Sequence, residues 1–337
     1  MVSRSALTAD PMVADLMSRC AYPAPGSALV CGVSGGADSL ALLVLAVAAG
    51  CEVTAVHVDH GLRPGSDAEA GVVADAARKF GARFRAERVA VGDGPNLEAR
   101  SRHARRVVLG PGTATGHTMD DQAETVLVNL LRGAGVHGLA GMRSGSDHPL
   151  LGLRRAETVA LCEHMGLLPF HDPSNDDPRF VRNRVRHELV PLCSAIAGRD
   201  MAPVLARQAG ALAGDAVVLD AIAGLVDPED ARALAAAPGV VARRGVRAWL
   251  SGGGPYPPSL DAVERVLAVA RHQRLATQVP GGRRVVRRGG RLALAPAPAD
   301  MGSDPSPGAD PEPGPAFGPE PGPASGGPSS RSGTVWP

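Results

Sequence analysis

The residues with the clearest chemical potential form the run Ser34-Gly35-Gly36-Ala37-Asp38-Ser39. It follows a β-compatible apolar stretch, 28–33, and leads into a helix-like segment, 40–49, so it occupies a strand-to-helix turn. Such a turn aims successive backbone N–H groups at an anion. Its glycines let a phosphate approach the backbone, and the helix dipole favours the charge. Ser34 and Ser39 add hydroxyl donors and Asp38 a carboxylate. The lysine of the G-x-x-x-x-G-K-[ST] loop is missing, so this is a different phosphate cradle, or an ordinary glycine turn that matches by chance.

The next apolar run, 53–58, ends in His57-Val58-Asp59-His60-Gly61, an acid and two imidazoles at the sheet edge that carries the turn. Asp59 suits a magnesium ion or a ribose hydroxyl. His57 and His60 lack a third ligand nearby for zinc, and a structural role is their ordinary account. Downstream, His117, Asp121 and Glu124 stand at i, i+4 and i+7, near the start of a helix predicted over 118–132. Thr118 is its expected N-cap, Asp121 completes a capping box, Gly133 stops it, and Val126, Leu127, Leu130 and Leu131 form its apolar face. The three ionisable groups can act on a substrate, or Asp120, Asp121 and Glu124 merely complement the helix dipole, worth about 0.3–1 kcal/mol each. In the run 179–188, Arg182 and Arg186 lie one helical turn apart, a spacing that grips phosphates or makes a solvated basic face.

Positioning these groups takes an alternating framework. After the strand at 53–58 come a crossover helix, 67–80, and a third strand, 83–91. This order predicts an α/β fold, a doubly wound, mainly parallel sheet with ligands at the carboxyl ends of its strands. Helical sequence fills 201–249 and 259–271, and two short strands, 283–288 and 291–295, meet at Gly289-Gly290. The expected units are a lead-in helix in 1–26, an α/β domain over 27–198, a smaller helical domain over 199–295 ending in a β-hairpin, and a tail, 296–337. The tail is rich in proline and glycine with almost nothing apolar to bury, and is expected to be disordered and dispensable.

At 337 residues the chain can bury two cores without disulfides or metals. Its five cysteines are scattered and never in a C-x-x-C pair, which fits a reduced, cytoplasmic protein. No apolar run reaches membrane-spanning length, and the first residues lack the order of a signal peptide. The net charge of +1 by itself indicates no nucleic acid, yet every cation except Lys79 is arginine. Groups such as Arg179, Arg182, Arg184 and Arg186 could hold phosphates, or reflect a compositional bias.

Taken in order, Ser34 to Ser39, His57-Val58-Asp59-His60-Gly61-Leu62-Arg63, Asn96-Leu97-Glu98-Ala99-Arg100, Gly116-His117-Thr118-Met119-Asp120-Asp121-Gln122-Ala123-Glu124-Thr125, Arg132-Gly133, Pro149-Leu150-Leu151, Asp172-Pro173-Ser174-Asn175 and Arg182-Asn183-Arg184-Val185-Arg186 resemble the tRNA(Ile)-lysidine synthetases, PP-loop ATP pyrophosphatases. The resemblance spans about residues 28–193 and lies in the number and order of its motifs.

It implies a ligase that uses ATP and magnesium. ATP adenylates the C2 oxygen of the wobble cytidine in tRNA(Ile) with anticodon CAU, and free L-lysine displaces AMP to give lysidine, which reads AUA. Carried over, Ser34, Gly35, Gly36, Ala37, Asp38 and Ser39 would cradle the phosphates, with Asp38 near magnesium and Asp59 at the nucleotide. Arg100 and His117 would stabilise charge during adenylation, and Asp121 and Glu124 would hold the lysine ammonium or take its proton. Arg132, Arg182 and Arg186 would contact RNA, and Arg182 also the activated nucleotide. The 199–295 unit would contact the tRNA. Oligomeric state is not fixed by the sequence, and a homodimer stays open.

Two departures mark this chain. The interval from Arg100 to Gly116 is short, which predicts a curtailed strand, and a second C-terminal domain of the kind larger members carry is not expected after the helical unit. Rival readings are tRNA thiolation, disfavoured by the lack of C-x-x-C, a small-molecule adenylating synthetase, and an RNA-binding module without catalysis.

Overall fold

The structure, a computed structural model, describes residues 1–59, 66–89, 104, 107–170, 176–251 and 258–296, with only the backbone at 66–68. Helices α1 (Arg4–Ala9) and α2 (Pro11–Met17) lead in, capped by Ser3 and Asp10, with Pro11 at a first position that needs no N–H donor. Strand β1 (Ala28–Gly32), helix α3 (Ala37–Ala48), strand β2 (Glu52–Asp59), helix α4 (Ser66–Phe80) and strand β3 (Arg83–Arg88) then alternate as the sequence predicts. The curtailed strand is β4, only Ala114–Thr115.

All neighbours in this sheet run parallel, in the order β3-β2-β1-β4. Ala28 pairs with Glu52 and Gly32 with Val56 on one side of β1, while Cys31 and Gly32 pair with Ala114 and Thr115 on the other. The chain builds outward from β1 to β3 and then returns to the far side of β1. The reversal therefore lies between β1 and β4, and in open parallel sheets that is where ligands bind, beyond the carboxyl ends. The two loops leaving it are 33–36 and 116–118. Helix α3, whose residues from Ser39 to Ala46 are all buried, is apolar on every side, as a helix inside a core must be. Edge strand β3 carries Arg83, Arg85 and Arg88, which suits an edge open to water.

Beyond β4 come α5 (Met119–Leu131), the short α6 (Val136–Leu139), α7 (Arg155–His164), α8 (Val181–Arg184), a π-helical turn (Val185–Leu189) and α9 (Val190–Ala197). Pro191, with no N–H for the His187 carbonyl and a ring that crowds it, accounts for the widened turn. Thr118 and Asp121 form the predicted capping box of α5. Its apolar face is narrower than expected: Val126 and Leu127 are buried with Val185, Leu205 and Ala209, but Leu130 and Leu131 are 55% and 63% exposed.

Helices α10 (Ala202–Gly224), α11 (Ala231–Ala236), α12 (Gly239–Leu250) and α13 (Leu260–Ala270) follow. The first half of α10 packs on α5 through Leu205 and Ala209. A separate core gathers Leu234, Val246, Val263, Leu267, Val285 and Leu292. The expected hairpin, β6 (Arg283–Arg288) and β7 (Arg291–Pro296), is joined by a third antiparallel strand, β5 (Ala276–Val279), in the order β5-β6-β7. With four residues after a polar run, β5 was too short for alternation to announce it. Among the described residues no single helix is long and apolar enough to cross a membrane.

Candidate active site

The glycine turn is held from within. Ser39 Oγ accepts from the N–H groups of Ser34 at 3.1 Å and Gly35 at 3.2 Å, and donates to the Gly36 carbonyl at 2.9 Å. Gly35 sits at φ 91°, a left-handed conformation that favours glycine, and its carbonyl accepts from Phe170 N–H at 2.9 Å. Ser39 therefore braces the turn. Ser39 N–H closes on the Gly36 carbonyl at 3.1 Å, and the N–H groups of Ala37 and Asp38 before it are the ones a helix cannot satisfy itself, donors of the kind that suit an anion. The second loop comes very close: a Cβ on Gly116 would stand 2.6 Å from the Asp38 carbonyl oxygen and 3.0 Å from Ser39 N.

Asp38, in the first turn of α3, meets a cluster of charge. Thr158 Oγ1 donates to its Oδ1 and Arg155 Nε to its Oδ2 at 3.3 Å. Burial pushes its carboxyl above the ordinary range, with Thr158 and Arg155 opposing. The other two nitrogens of Arg155 reach the acids of α5, Nη2 to Asp121 Oδ1 at 2.9 Å and Nη1 to Glu124 Oε1 at 3.2 Å. Burial disfavours the Arg155 charge, but Asp121, Glu124 and Asp38 more than compensate and hold its pKa above the ordinary value.

Arg182 and Arg186 close the cluster from α8 and the π-turn. Arg182 Nε meets Glu124 Oε2 at 2.9 Å and its Nη2 meets Asp121 Oδ1 at 3.2 Å; Arg186 Nε meets Glu124 Oε1 at 2.7 Å. Glu124 is 2% exposed. Burial would raise the Asp121 pKa, yet Arg155, Arg182 and the Thr118 N–H bring it down to about 2. A carboxylate held there is a poor base at neutral pH and a good holder of cations. Arg154 and Asp120 secure the frame: Arg154 Nη2 donates to Asp120 Oδ1 at 2.8 Å, and Arg155 N–H to Asp120 Oδ2 at 2.7 Å.

At the end of β4, Thr115 Oγ1 lies 2.8 Å from Nδ1 of both His117 and His148 and donates to the Asp147 carbonyl at 3.1 Å. The hydroxyl thus ties both imidazoles at Nδ1, and the tautomer of each ring sets which partner gives the proton. The rings meet edge to face, 5.1 Å between centroids. Burial pushes His148 below the usual imidazole range, with Asp147 opposing.

The structure thus brings together the turn, Asp38, Asp121, Glu124, Arg182 and Arg186, with His117 at the same reversal. The two arginines expected to grip RNA are held by Asp121 and Glu124. Asp59 lies at the end of β2, 3.4 Å from Arg88 Nε, outside the cluster. His57 is buried and its Nδ1 bonds the Val33 carbonyl at 3.0 Å, a structural tie beneath the turn. Arg132 is the exposed C-cap of α5. Arg100, the motifs 60–63, 96–100 and 172–175, and the tail after 296 lie outside the described residues. Sequence reasoning missed Arg155, Thr158 and His148; the available signal was the position of His148 and Arg155 on either side of Pro149-Leu150-Leu151 and its following turn.

Asp38 is the nearest approach to a metal ligand. Among the described residues no group of three or more His, Cys, Asp or Glu side chains could hold a metal ion. A single carboxylate beside a phosphate cradle fits magnesium, which binds through one or two carboxylates plus substrate phosphates.

Residues 10–193 match the PP-loop domain family. The tRNA(Ile)-lysidine synthase of Nocardia farcinica (strain IFM 10152) is 43% identical over 295 residues, covering 81% of this chain and 93% of that protein. That of Rhodococcus erythropolis (strain PR4 / NBRC 100887) is 42% identical over 293 residues, 80% of this chain and 90% of that one. That of Mycobacterium tuberculosis (strain ATCC 25618 / H37Rv) is 40% identical over 294 residues, 79% and 90%. At this identity over nearly the whole length of its relatives, the chain belongs to the tRNA(Ile)-lysidine synthase family of PP-loop proteins.

Proposed function

We propose that this chain ligates lysine to C2 of the wobble cytidine of tRNA(Ile) with anticodon CAU, in the cytoplasm, at the expense of ATP. The observation that carries this reading is the meeting of Asp38, from the nucleotide turn, with Asp121 and Glu124, from α5, around one guanidinium. Nucleotide and amine sites are thereby neighbours, which the two-step chemistry requires. In the first step the C2 oxygen attacks the α-phosphorus and pyrophosphate leaves. In the second, a lysine amine adds at C2, AMP departs with that oxygen, and a proton is released.

Each group has a task in this scheme. The turn 34–39 binds the phosphates through backbone N–H groups. A magnesium ion carried on those phosphates would neutralise charge there, with Asp38 as the protein carboxylate to hold it. His117, tied through Nδ1 to Thr115, stabilises the charge that develops on the phosphates during adenylation. Asp121 and Glu124 hold the lysine ammonium, and Arg182 and Arg186, both on those acids, keep them oriented. Arg132 and the 199–295 unit contact the tRNA. A cleft of about 630 Å³ in that unit, lined by Asp230 as well as Arg232, His272, Arg274, Arg287 and the acid-paired Arg291, has a net cationic wall that suits backbone phosphates.

The test is incorporation of radiolabelled lysine into unmodified tRNA(Ile) with anticodon CAU, with ATP and magnesium, comparing wild type with Asp38→Ala. ATP-dependent incorporation that the variant loses supports the reading. No incorporation by folded wild type, with pyrophosphate released on another substrate, points to a different PP-loop adenylating enzyme.

A further inference from the structure

The charge count of the cluster leaves no place for a substrate amine. Three carboxylates, Asp38, Asp121 and Glu124, face three guanidiniums, Arg155, Arg182 and Arg186. Glu124 receives all three, and Asp121 lies within 3.5 Å of each. A fourth cation would lose its hydration and find every carboxylate already paired, an arrangement that favours exclusion. One guanidinium must leave before an ammonium can bind.

Arg155 is the one tied to the nucleotide turn. Arg182 and Arg186 make their bonds to the α5 acids and, for Arg182, to the Asp121 carbonyl. Arg155 alone spans both sides of the reversal, with one nitrogen on each of Asp38, Asp121 and Glu124. Its backbone is fixed by the Asp120 carboxylate, so its side chain can swing without moving α7. Phosphates arriving on the turn attract a guanidinium, and a cation carried with them competes for Asp38. Both effects draw Arg155 off the acid pair.

We propose that Arg155 is a placeholder for the amine substrate: its guanidinium fills the subsite between Asp121 and Glu124 until a nucleotide on the turn releases it. This rests on the reading of Asp121 and Glu124 as the lysine-holding pair. The arginine thereby makes binding ordered, nucleotide before lysine, and keeps stray cations out of the acid pair. In the ligand-free chain the lysine site is competent only in the fraction of molecules whose Arg155 has left, and apparent affinity falls by that fraction.

The experiment is calorimetric titration of lysine into the full chain without nucleotide and with a non-hydrolysable ATP analogue, for wild type, Arg155→Met and Arg155→Lys, each checked for cooperative thermal unfolding. Without nucleotide, Arg155→Met is expected to bind lysine about ten-fold or more tighter than wild type, and Arg155→Lys, which restores a cation, to behave as wild type does. The analogue is expected to tighten lysine binding to wild type and to leave Arg155→Met unchanged. Folded Arg155→Met that binds lysine no better than wild type without nucleotide overturns the proposal. Glu124→Gln separates the two claims: if it leaves the lysine KM of the full reaction unchanged, the acid-pair reading itself fails.

Discussion

Arg186 and Glu124, 62 residues apart in sequence, meet in a two-point fork, Nε to Oε1 at 2.7 Å and Nη2 to Oε2 at 3.1 Å. The fork joins the π-turn to α5 and places a nearly inaccessible carboxylate at the centre of three guanidiniums. The oxygens of Glu124 are shared among Arg155, Arg182 and Arg186, so the acid sets the positions of all three.

Glu124→Gln therefore removes the charge that three arginines share. Breaking a buried ion pair from one side costs about 3–5 kcal/mol, and the partly exposed arginines place this variant near the lower end, about 3 kcal/mol. Urea unfolding of wild type and variant measures it. A loss below about 0.5 kcal/mol, the usual range for a surface site, would mean that the cluster does not stabilise the fold.

Acid should act on the neighbouring carboxylate. The folded pKa of Asp121, about 2, lies below its ordinary value of 3.8. Its contribution is therefore fully present above pH 3.8 and is lost as the pH falls through about 2. The difference corresponds to about 2 kcal/mol. Asp38, shifted upward, contributes in the opposite sense, because protonation relieves the cost of its buried charge. Stability measured across this window should fall less steeply for Asp121→Asn than for wild type. Identical slopes would show that Asp121 is not held by its arginines in solution.

The close approach of the two site loops predicts a nucleotide defect from a single methyl group. In Gly116→Ala the new Cβ would lie 2.6 Å from the Asp38 carbonyl oxygen and 2.8 Å from its carbon, backbone atoms that cannot rotate away. Overpacking of this kind costs about 1–3 kcal/mol, and here the strain falls on the first turn of α3. The ATP KM for pyrophosphate release should rise with the lysine KM unaffected. An unchanged ATP KM would show that the loop adjusts without disturbing the turn.

How much of this was legible in the sequence depends on the reach of each interaction. The turn 34–39, the capping box of Thr118 and Asp121, and the β/α alternation are local patterns, and the structure has them where the residues predict. Arg155 has only its place after Pro149-Leu150-Leu151 as a local signal, because its partners are 31 to 117 positions away, and beside Arg154 it reads as compositional bias. The exposure of Leu130 and Leu131 has the same origin, since periodicity shows which face of α5 is apolar but not how far its neighbours extend. Ser39 was legible as a hydroxyl at a phosphate turn, whereas its use as an internal brace needed the coordinates of two N–H groups.

Thr115 offers the last test, because one hydroxyl orients two imidazoles. Thr115→Val keeps the shape of β4 and removes the hydroxyl that the Nδ1 atoms of both rings meet. His117 then loses its tie to Thr115, while Asp121 and Glu124 keep their arginines. Misplacing a group that stabilises developing charge by about 1 Å costs about 10²-fold in rate. Pyrophosphate release should slow by up to that factor, and the lysine KM should stay at the wild-type value. A variant with wild-type pyrophosphate release would remove His117 orientation from the adenylation step, and a raised lysine KM would place Thr115 on the amine side of the site instead.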